Sequence, residues 1–538
     1  MQLSFQKSVA FVISIFIGIT TFAQIKPGKI IFTDDKVNLE NTNASTALQK
    51  LLLTNKTNLY ITVSLKQPLT DELHKLAPGL SKDSLSKVGN YQFNFFVDDK
   101  LVYHTELIPG APRAQQQQQD TLWIKPLIDN QNEGAWWSQS AWNRFMFSGG
   151  DSALTDGPHK FRLTLRPYVK TPELKTGDII AEGQLELIVK RKPDIDLAHV
   201  KLSPLKPYDG LAVSNEKFDI NKIKELRAYI EADAFKHVTS VVAIKNGKIL
   251  FEEYFNGATR DSLHDVRSVG KTFASTLTGM AIRDGYLQSV NQTLSDFYDL
   301  KTFKNYSPAK AGTRLRELLT MSSRFDGDDD DPSSAGNEEN MYPTDNWVKF
   351  TLDLPLDTIK YHGQWHYFTS GVMLLGSTLD KVIPGGLDKY ADKNLFKPLH
   401  ITNYKWVYTP QHVPSTAGGI RMNSLDFAKF GQLYANKGSW NGKQLLPESW
   451  VKESLSHQLP ITGRKNEFYG YLFWNKTYKS GSKDYEAYYC SGNGGNKIYV
   501  FKNQPLVLVI TATAYGSGYA HKQADRIVEE FILPAIYK

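Results

Sequence analysis

The order of apolar and polar positions divides the chain into two textures. In the first, short alternating runs dominate. Tyr91, Phe93 and Phe95 alternate with Gln92 and Asn94, and Phe161, Leu163 and Leu165 alternate with Arg162, Thr164 and Arg166. A period of two is that of a half-buried strand. The run from Leu59 to Leu65 is branched and aromatic, and Leu185 to Val189 closes the set. Val97-Asp98-Asp99-Lys100-Leu101 reads as a hairpin turn. Strands with no helical pattern between them predict an all-β, sandwich-like domain over residues 24–194. Gln115 to Gln119 reads as a solvated loop within it.

The stretch from Lys190 to Pro207 is basic and carries Pro193, Pro204 and Pro207, which predicts a linker over 195–217. From Phe218 onward helical and strand periods mix. Ser240 to Ile244 and Ile249 to Tyr254 flank Asn246-Gly247, the turn dipeptide of a β-hairpin. Phe273, Leu277, Met280 and Ala281 recur at helical spacing, so a helix is predicted to begin near Ser268. Lys497 to Phe501 and Leu506 to Ile510 read as strands. Ala524 to Leu533 reads as a helix that Pro534 should end. Helices and an antiparallel sheet in one unit predict an α/β architecture over 218–538.

Composition narrows the function classes. The chain has 538 residues, 41% hydrophobic and 22% charged, with a net charge of +7. These fractions exclude a wholly disordered chain. The positive balance is scattered, so no basic stripe points to nucleic acid. Cys490 is the only cysteine, which excludes an intramolecular disulfide and a Cys₄ or Cys₂His₂ zinc site. Lys7, the apolar run from Val9 to Ile19 and the small Ala23 before Gln24 read as a signal peptide over 1–23. The expected location is therefore periplasmic or secreted, with no stable membrane insertion after cleavage.

The densest candidate chemistry is Ser268-Val269-Gly270-Lys271. Residues three apart on a helix share a face, so Lys271 can bring its amine to the Ser268 hydroxyl. A serine hydroxyl needs a base, and a lysine serves only where its surroundings favour the neutral amine. The helix start would also hold an oxyanion. The same pattern is satisfied by Ser268 as a plain N-cap. Asp326 to Asp331 lacks calcium-loop spacing and reads as an exposed acidic loop. His362 and His366 lack a zinc-protease motif and read as rim or packing residues. Cys490 reads as a small buried residue. Trp136, Trp137, Trp142, Phe145 and Phe147 read as core or contact residues, with a sugar-stacking platform as the alternative.

Context adds to the tetrad. Leu315 to Ser323, Gly363 to Gly371 with Leu374-Leu375-Gly376, Thr416 to Met422 and Ser491 to Gly495 follow it in order. Together these segments resemble the serine β-lactamase and penicillin-binding-protein-like family in its class C branch. That branch also holds esterases, D-aminopeptidases and 6-aminohexanoate-dimer hydrolases. The resemblance implies a transpeptidase-like antiparallel sheet with helices on both faces and a helical subdomain. It implies that Ser268, Lys271 and Tyr367 are catalytic, with the serine base left open between Lys271 and Tyr367. Thr369 stands where the family carries Asn or Ser. Asn493-Gly494-Gly495 matches the third motif without its lysine, and the Asn496 N–H would join that of Ser268 in holding the oxyanion. No metal or organic cofactor is implied. The expected substrate is a small molecule or peptide with an ester, amide, D-peptide or β-lactam carbonyl. The alternative is a weakly active protein that binds cell-wall peptide or glycan. Oligomeric state is not legible.

Overall fold

The computed structural model describes residues 25–34, 47–130, 136–331 and 333–537. The segment 1–23, expected as a signal peptide, lies outside the described residues. The chain forms two compact units that divide between Arg191 and Lys192.

The first unit is β-rich. Its nine described strands join in one mixed sheet, ordered Lys100–Glu106, Gly89–Val97, Gly157–Lys170, Ala181–Val189, Lys29–Thr33, Leu59–Ser64, Leu122–Ile128. Lys50–Leu53 pairs in parallel with Ala181–Val189, and Leu174–Thr176 pairs with Gly157–Lys170. All nine strands hydrogen-bond into one sheet, and helices stand between them, so the unit is β-rich as expected but not all-β. The alternation works as the period requires: Phe93 and Phe95 oppose Leu165 and Leu163 and are wholly buried. Asp98 and Asp99 make the expected turn, both with positive φ. Helices Leu69–Leu76, Lys82–Val88 and Trp137–Phe145 interrupt the strands. The last carries Trp142 and Phe145 into the core, where Phe145 stacks on Phe95 at 4.7 Å. These aromatics fill the core, while Phe147 stays exposed. Gln115 to Gln119 is helical, contrary to the loop expectation. Gln117 is buried and donates to the Pro112 carbonyl, which gives this polar run one inward face.

The second unit holds an eight-stranded sheet. Its strands are β1 (Val238–Lys245), β2 (Lys248–Tyr254), β3 (Leu459–Pro460), β4 (Phe468–Tyr469), β5 (Trp474–Ser480), β6 (Lys483–Gly492), β7 (Asn496–Phe501) and β8 (Leu506–Ala512). They run in the order β2-β1-β8-β7-β6-β5-β4-β3, each pair antiparallel. Both faces are covered, and the strand period sorts the side chains between them. Ile498 and Val500 of β7 pack with Phe273 and Phe430 on one face. Tyr499 and Phe501 pack with Ile223, Ile527 and Phe531 on the other. The helices concerned are α1 (Ile220–Glu231), α2 (Lys271–Arg283), α3 (Thr369–Val382), α4 (Ser424–Ala435) and α5 (Ala520–Ile527). The helix expected to stop at Pro534 continues through a wide turn at Val528–Ile532 into Leu533–Ile536, which contains Pro534.

The segment expected as a linker, 195–217, is a strap laid on the second unit. Ser203 donates its N–H and its hydroxyl to Glu253 at 2.9 and 3.1 Å, Val213 pairs with Ile249, and the Tyr208 hydroxyl accepts from Asn423 at 2.8 Å. Glu253 is only 1% exposed. A fragment starting at Phe218 leaves that carboxylate to Arg227 alone. A buried acceptor stripped of partners costs about 1–3 kcal/mol. The Phe218 fragment is expected to melt about 1–4 °C below one starting at Lys192. Equal melting temperatures by calorimetry would show that the strap adds nothing.

Candidate active site

The site begins with a tight turn. Arg267–Gly270 is a 3₁₀ turn that runs directly into α2. Ser268 therefore lies one turn ahead of Lys271 on the same face. Lys271 Nζ donates to Ser268 Oγ at 2.7 Å and to the Ala417 carbonyl at 2.9 Å. The lysine is 2% exposed, so a titratable amine is held away from bulk water beside a hydroxyl. Two glycines allow this approach. A side chain at Gly270 would meet Gly418 Cα at 2.8 Å, and Gly418 itself has φ +157. The Thr416–Met422 segment can thus press its backbone onto the Ser268 turn and present the Ala417 carbonyl.

Tyr367 comes from the loop before α3. Its ring centre lies 5.0 Å from Lys271 Nζ. Burial pushes the phenol above its ordinary value, and the Lys271 charge and hydrogen bonding to Ser268 and Lys271 pull it only part of the way back. Trp365 and Trp474 stand beside it at 6.2 and 5.8 Å, and Arg464 lies over Trp474 at 4.8 Å. This makes an apolar wall with a cation at its edge.

The third motif is the β6–β7 turn. A side chain at Gly492 would collide with the Val266 carbonyl, so β6 ends directly against the turn that carries Ser268. Asn493 is exposed there, while Gly494 and Gly495 are buried with φ near +90°. Asn496 is 1% exposed. Its side chain donates to the Asn493 and Ala512 carbonyls and accepts the Ala512 N–H. It locks the turn from inside. Thr369 is also fully buried, at the first turn of α3, with its N–H given to Asp329 Oδ2 at 2.7 Å. The structure therefore brings Ser268, Lys271 and Tyr367 together, and sets Asn496 and Thr369 as buried supports behind them.

Two contributors escaped the sequence reading. The Ala417 carbonyl is a backbone group with no residue-type signal. Asp329 sits in the run expected as an exposed acidic loop, yet it is half-buried and turned toward α3. Its neighbour Asp331 does face solvent, bound to Ser333 and Lys360. His366 packs at 4.1 Å on Tyr361, and burial pushes its imidazole down to about 4. Cys490 is buried, with its thiol pushed up to about 12. Among the described residues no three His, Cys, Asp or Glu side chains gather to hold a metal ion, and no helix is long and apolar enough to cross a membrane.

A family model described as Beta-lactamase matches residues 226–530, more than half of the chain. The chain belongs to the beta-lactamase family. It is thus a member of a hydrolase family, and its α/β second unit has that family's fold. Among solved structures it is similar to a putative beta-lactamase from Bacteroides dorei DSM 17855, at 17% identity over 60% of this chain and 100% of that one, with a TM-score of 0.49. It is similar also to a putative 6-aminohexanoate-dimer hydrolase from Bacillus anthracis, at 17% identity over 57% and 82%, TM-score 0.47. A D-stereospecific amidohydrolase from Streptomyces sp. matches at 16% identity over 54% and 92%, TM-score 0.41. No curated protein matches the chain.

Proposed function

We propose that this chain is an exported serine hydrolase in which Ser268 is the nucleophile. The observation that carries the reading is the 2.7 Å contact between the buried Lys271 amine and Ser268 Oγ. Ser268 Oγ attacks a substrate carbonyl, and its proton passes to the Lys271 amine in contact with it, which serves as base in its unprotonated form. The Ala417 carbonyl holds a second lysine N–H and so keeps the amine beside the serine oxygen. The phenol of Tyr367 is protonated at neutral pH; it hands its proton to the leaving group and takes in its place the one that Lys271 received from Ser268, so that amine and phenol both return to their starting states. The acyl-enzyme is then resolved by water.

The oxyanion is held by the backbone N–H of Ser268 and by that of Asn493. Asn493 is the exposed residue that follows Gly492 against the Ser268 turn, whereas the Asn496 position first expected for this role is buried. Lys497, the lysine nearest the third motif in sequence, lies 3% exposed over Tyr489 and Tyr499 and is held by Asp525 at 2.7 Å. It belongs to the opposite face of the sheet and is not available for a substrate carboxylate. This favours an ester, amide or peptide over a β-lactam, and the Trp365–Trp474 wall favours a group with an apolar face. Export rests on the Lys7, Val9–Ile19 and Ala23 pattern.

Intact mass after treatment with a fluorophosphonate probe tests the reading. One adduct is expected on the wild type and none on Ser268→Ala. No adduct on the wild type overturns it.

A further inference from the structure

We infer that Asp329 is a positioning residue that holds Tyr367 over Ser268 and Lys271, through one carboxylate and one N–H that grip both ends of the Tyr367–Thr369 segment. This inference rests on the serine hydrolase reading above. The grip is direct. The Asp329 N–H donates to the Tyr367 carbonyl at 2.8 Å. The Asp329 carboxylate accepts the Thr369 N–H on Oδ2 at 2.7 Å and the Glu338 N–H on Oδ1 at 2.8 Å. Tyr367 is thus fastened on one side by its own carbonyl and on the other by the first turn of α3. A carboxylate at a helix N-terminus also meets the positive end of the helix dipole. The same residue fixes the acidic loop, because Glu338 opens the short helix that follows it.

The segment needs this clamp. Thr369 has a short side chain where the resembling family carries an amide or a serine, and it is sealed inside. A threonine cannot span two partners as an amide does. Asp329 reaches the segment from a separate loop and supplies the fixed anchor. A displacement of the phenol by about 1 Å can cost about 100-fold in rate.

The clamp also carries a pH signature. Burial, and then the charge of Glu338, push the Asp329 carboxyl up to about 6, against hydrogen bonding to Thr369 and the charge of Lys271. The ionisable groups that face it are Lys271 across the site, Glu338 and Tyr342 on the following segment, Tyr367 above, and its neighbours Asp328 and Asp330. Above pH 6 the carboxylate accepts both N–H groups. Below pH 6 it gains a proton, and one acceptor oxygen becomes a donor that faces an N–H. The grip is therefore intact at neutral pH and weakens in acid.

The test is the rate of fluorophosphonate labelling of the full chain from pH 5 to 9, for wild type, Ser268→Ala, Asp329→Asn and a pair at Thr369. Asp329→Asn keeps the shape but sets an amide NH₂ against one of the two N–H groups. It is expected to label about 10- to 100-fold more slowly at pH 7.5, and to lack the acid limb that the wild type shows near pH 6. A purely structural aspartate would lower the melting temperature and leave the shape of the pH profile unchanged. If Asp329→Asn does not fold, Thr369→Pro is compared with Thr369→Ala. Proline is accepted at the first position of a helix and removes only the N–H that Asp329 takes. Slower labelling of Thr369→Pro than of Thr369→Ala supports the clamp. Labelling of Asp329→Asn within threefold of wild type with the same acid limb, or equal rates for the Thr369 pair, overturns it while the nucleophile reading stands. Absence of labelling on the wild type overturns both.

Discussion

Replacing Lys271 by Met is expected to lower the acylation rate of Ser268 by about 10³- to 10⁴-fold, the upper range for loss of a general base. The lysine has two tasks at one position. It takes the serine proton across 2.7 Å, and once protonated its charge lies 5.0 Å from the centre of the Tyr367 ring, where it pulls the phenol down against burial. Met removes both and still fills most of the space. Stability should change far less than activity. An amine at 2% exposure has given up its water, and an apolar chain of similar length gives up none. Against that, the Ala417 carbonyl loses its donor, at about 1–3 kcal/mol. The two effects oppose each other, so the melting temperature should stay within a few degrees while labelling collapses. The pair of measurements is decisive. A parallel loss of both would mean that Lys271 holds the fold and that the base lies elsewhere. Because the chemistry upstream of the leaving group is removed, every substrate class should suffer alike, activated esters included.

The parts legible in the sequence were those in which partners lie close along the chain. The Asn246-Gly247 hairpin formed because both residues accept the positive φ that the turn needs. Ser268 and Lys271 met because three residues are one turn. β7 was legible as a strand from its branched and aromatic run, though a run apolar at every position from Ile498 to Phe501 does not tell which face each residue takes. Long-range contacts were not legible. Asp329 carries the same residue type as Asp328 and Asp330, and nothing local marks which of them turns inward. The strap at 195–217 has the prolines of a linker, and only Glu253, far along the chain, shows what Ser203 is for. The helices of the first unit were missed because short segments such as Leu69–Leu76 bury few residues, here Leu69, Thr70 and Leu73, too few to set a period. The buried state of Asn496 was hidden for another reason. An asparagine beside two glycines has the composition of a surface turn, and its inward lock depends on Ala512 of the neighbouring strand.

The roles of lysine and tyrosine separate in Tyr367→Phe. Phe keeps the ring, and with it the contact to Trp474 and the face presented to Lys271. It loses only the hydroxyl. With its pKa held above the ordinary value, that hydroxyl enters the reaction as a proton donor. Its value then depends on what must leave. An amine or an alkoxide departs slowly without a proton, while a nitrophenolate departs readily as the anion. Tyr367→Phe is therefore expected to lower kcat/KM by about 100-fold or more on an amide or alkyl ester. On a nitrophenyl ester of the same acyl group the fall should be about fivefold or less. Lys271→Met should lower both. An equal fall on the two substrates in Tyr367→Phe would place the phenol earlier, in the deprotonation of Ser268, and would make tyrosine the base and lysine its electrostatic partner. The buried geometry argues for the first order. The amine already touches Ser268 Oγ, and a phenol that acted as base would have to stand as an anion before the attack, which burial opposes, whereas a phenol that donates is resupplied by the proton Lys271 has gained.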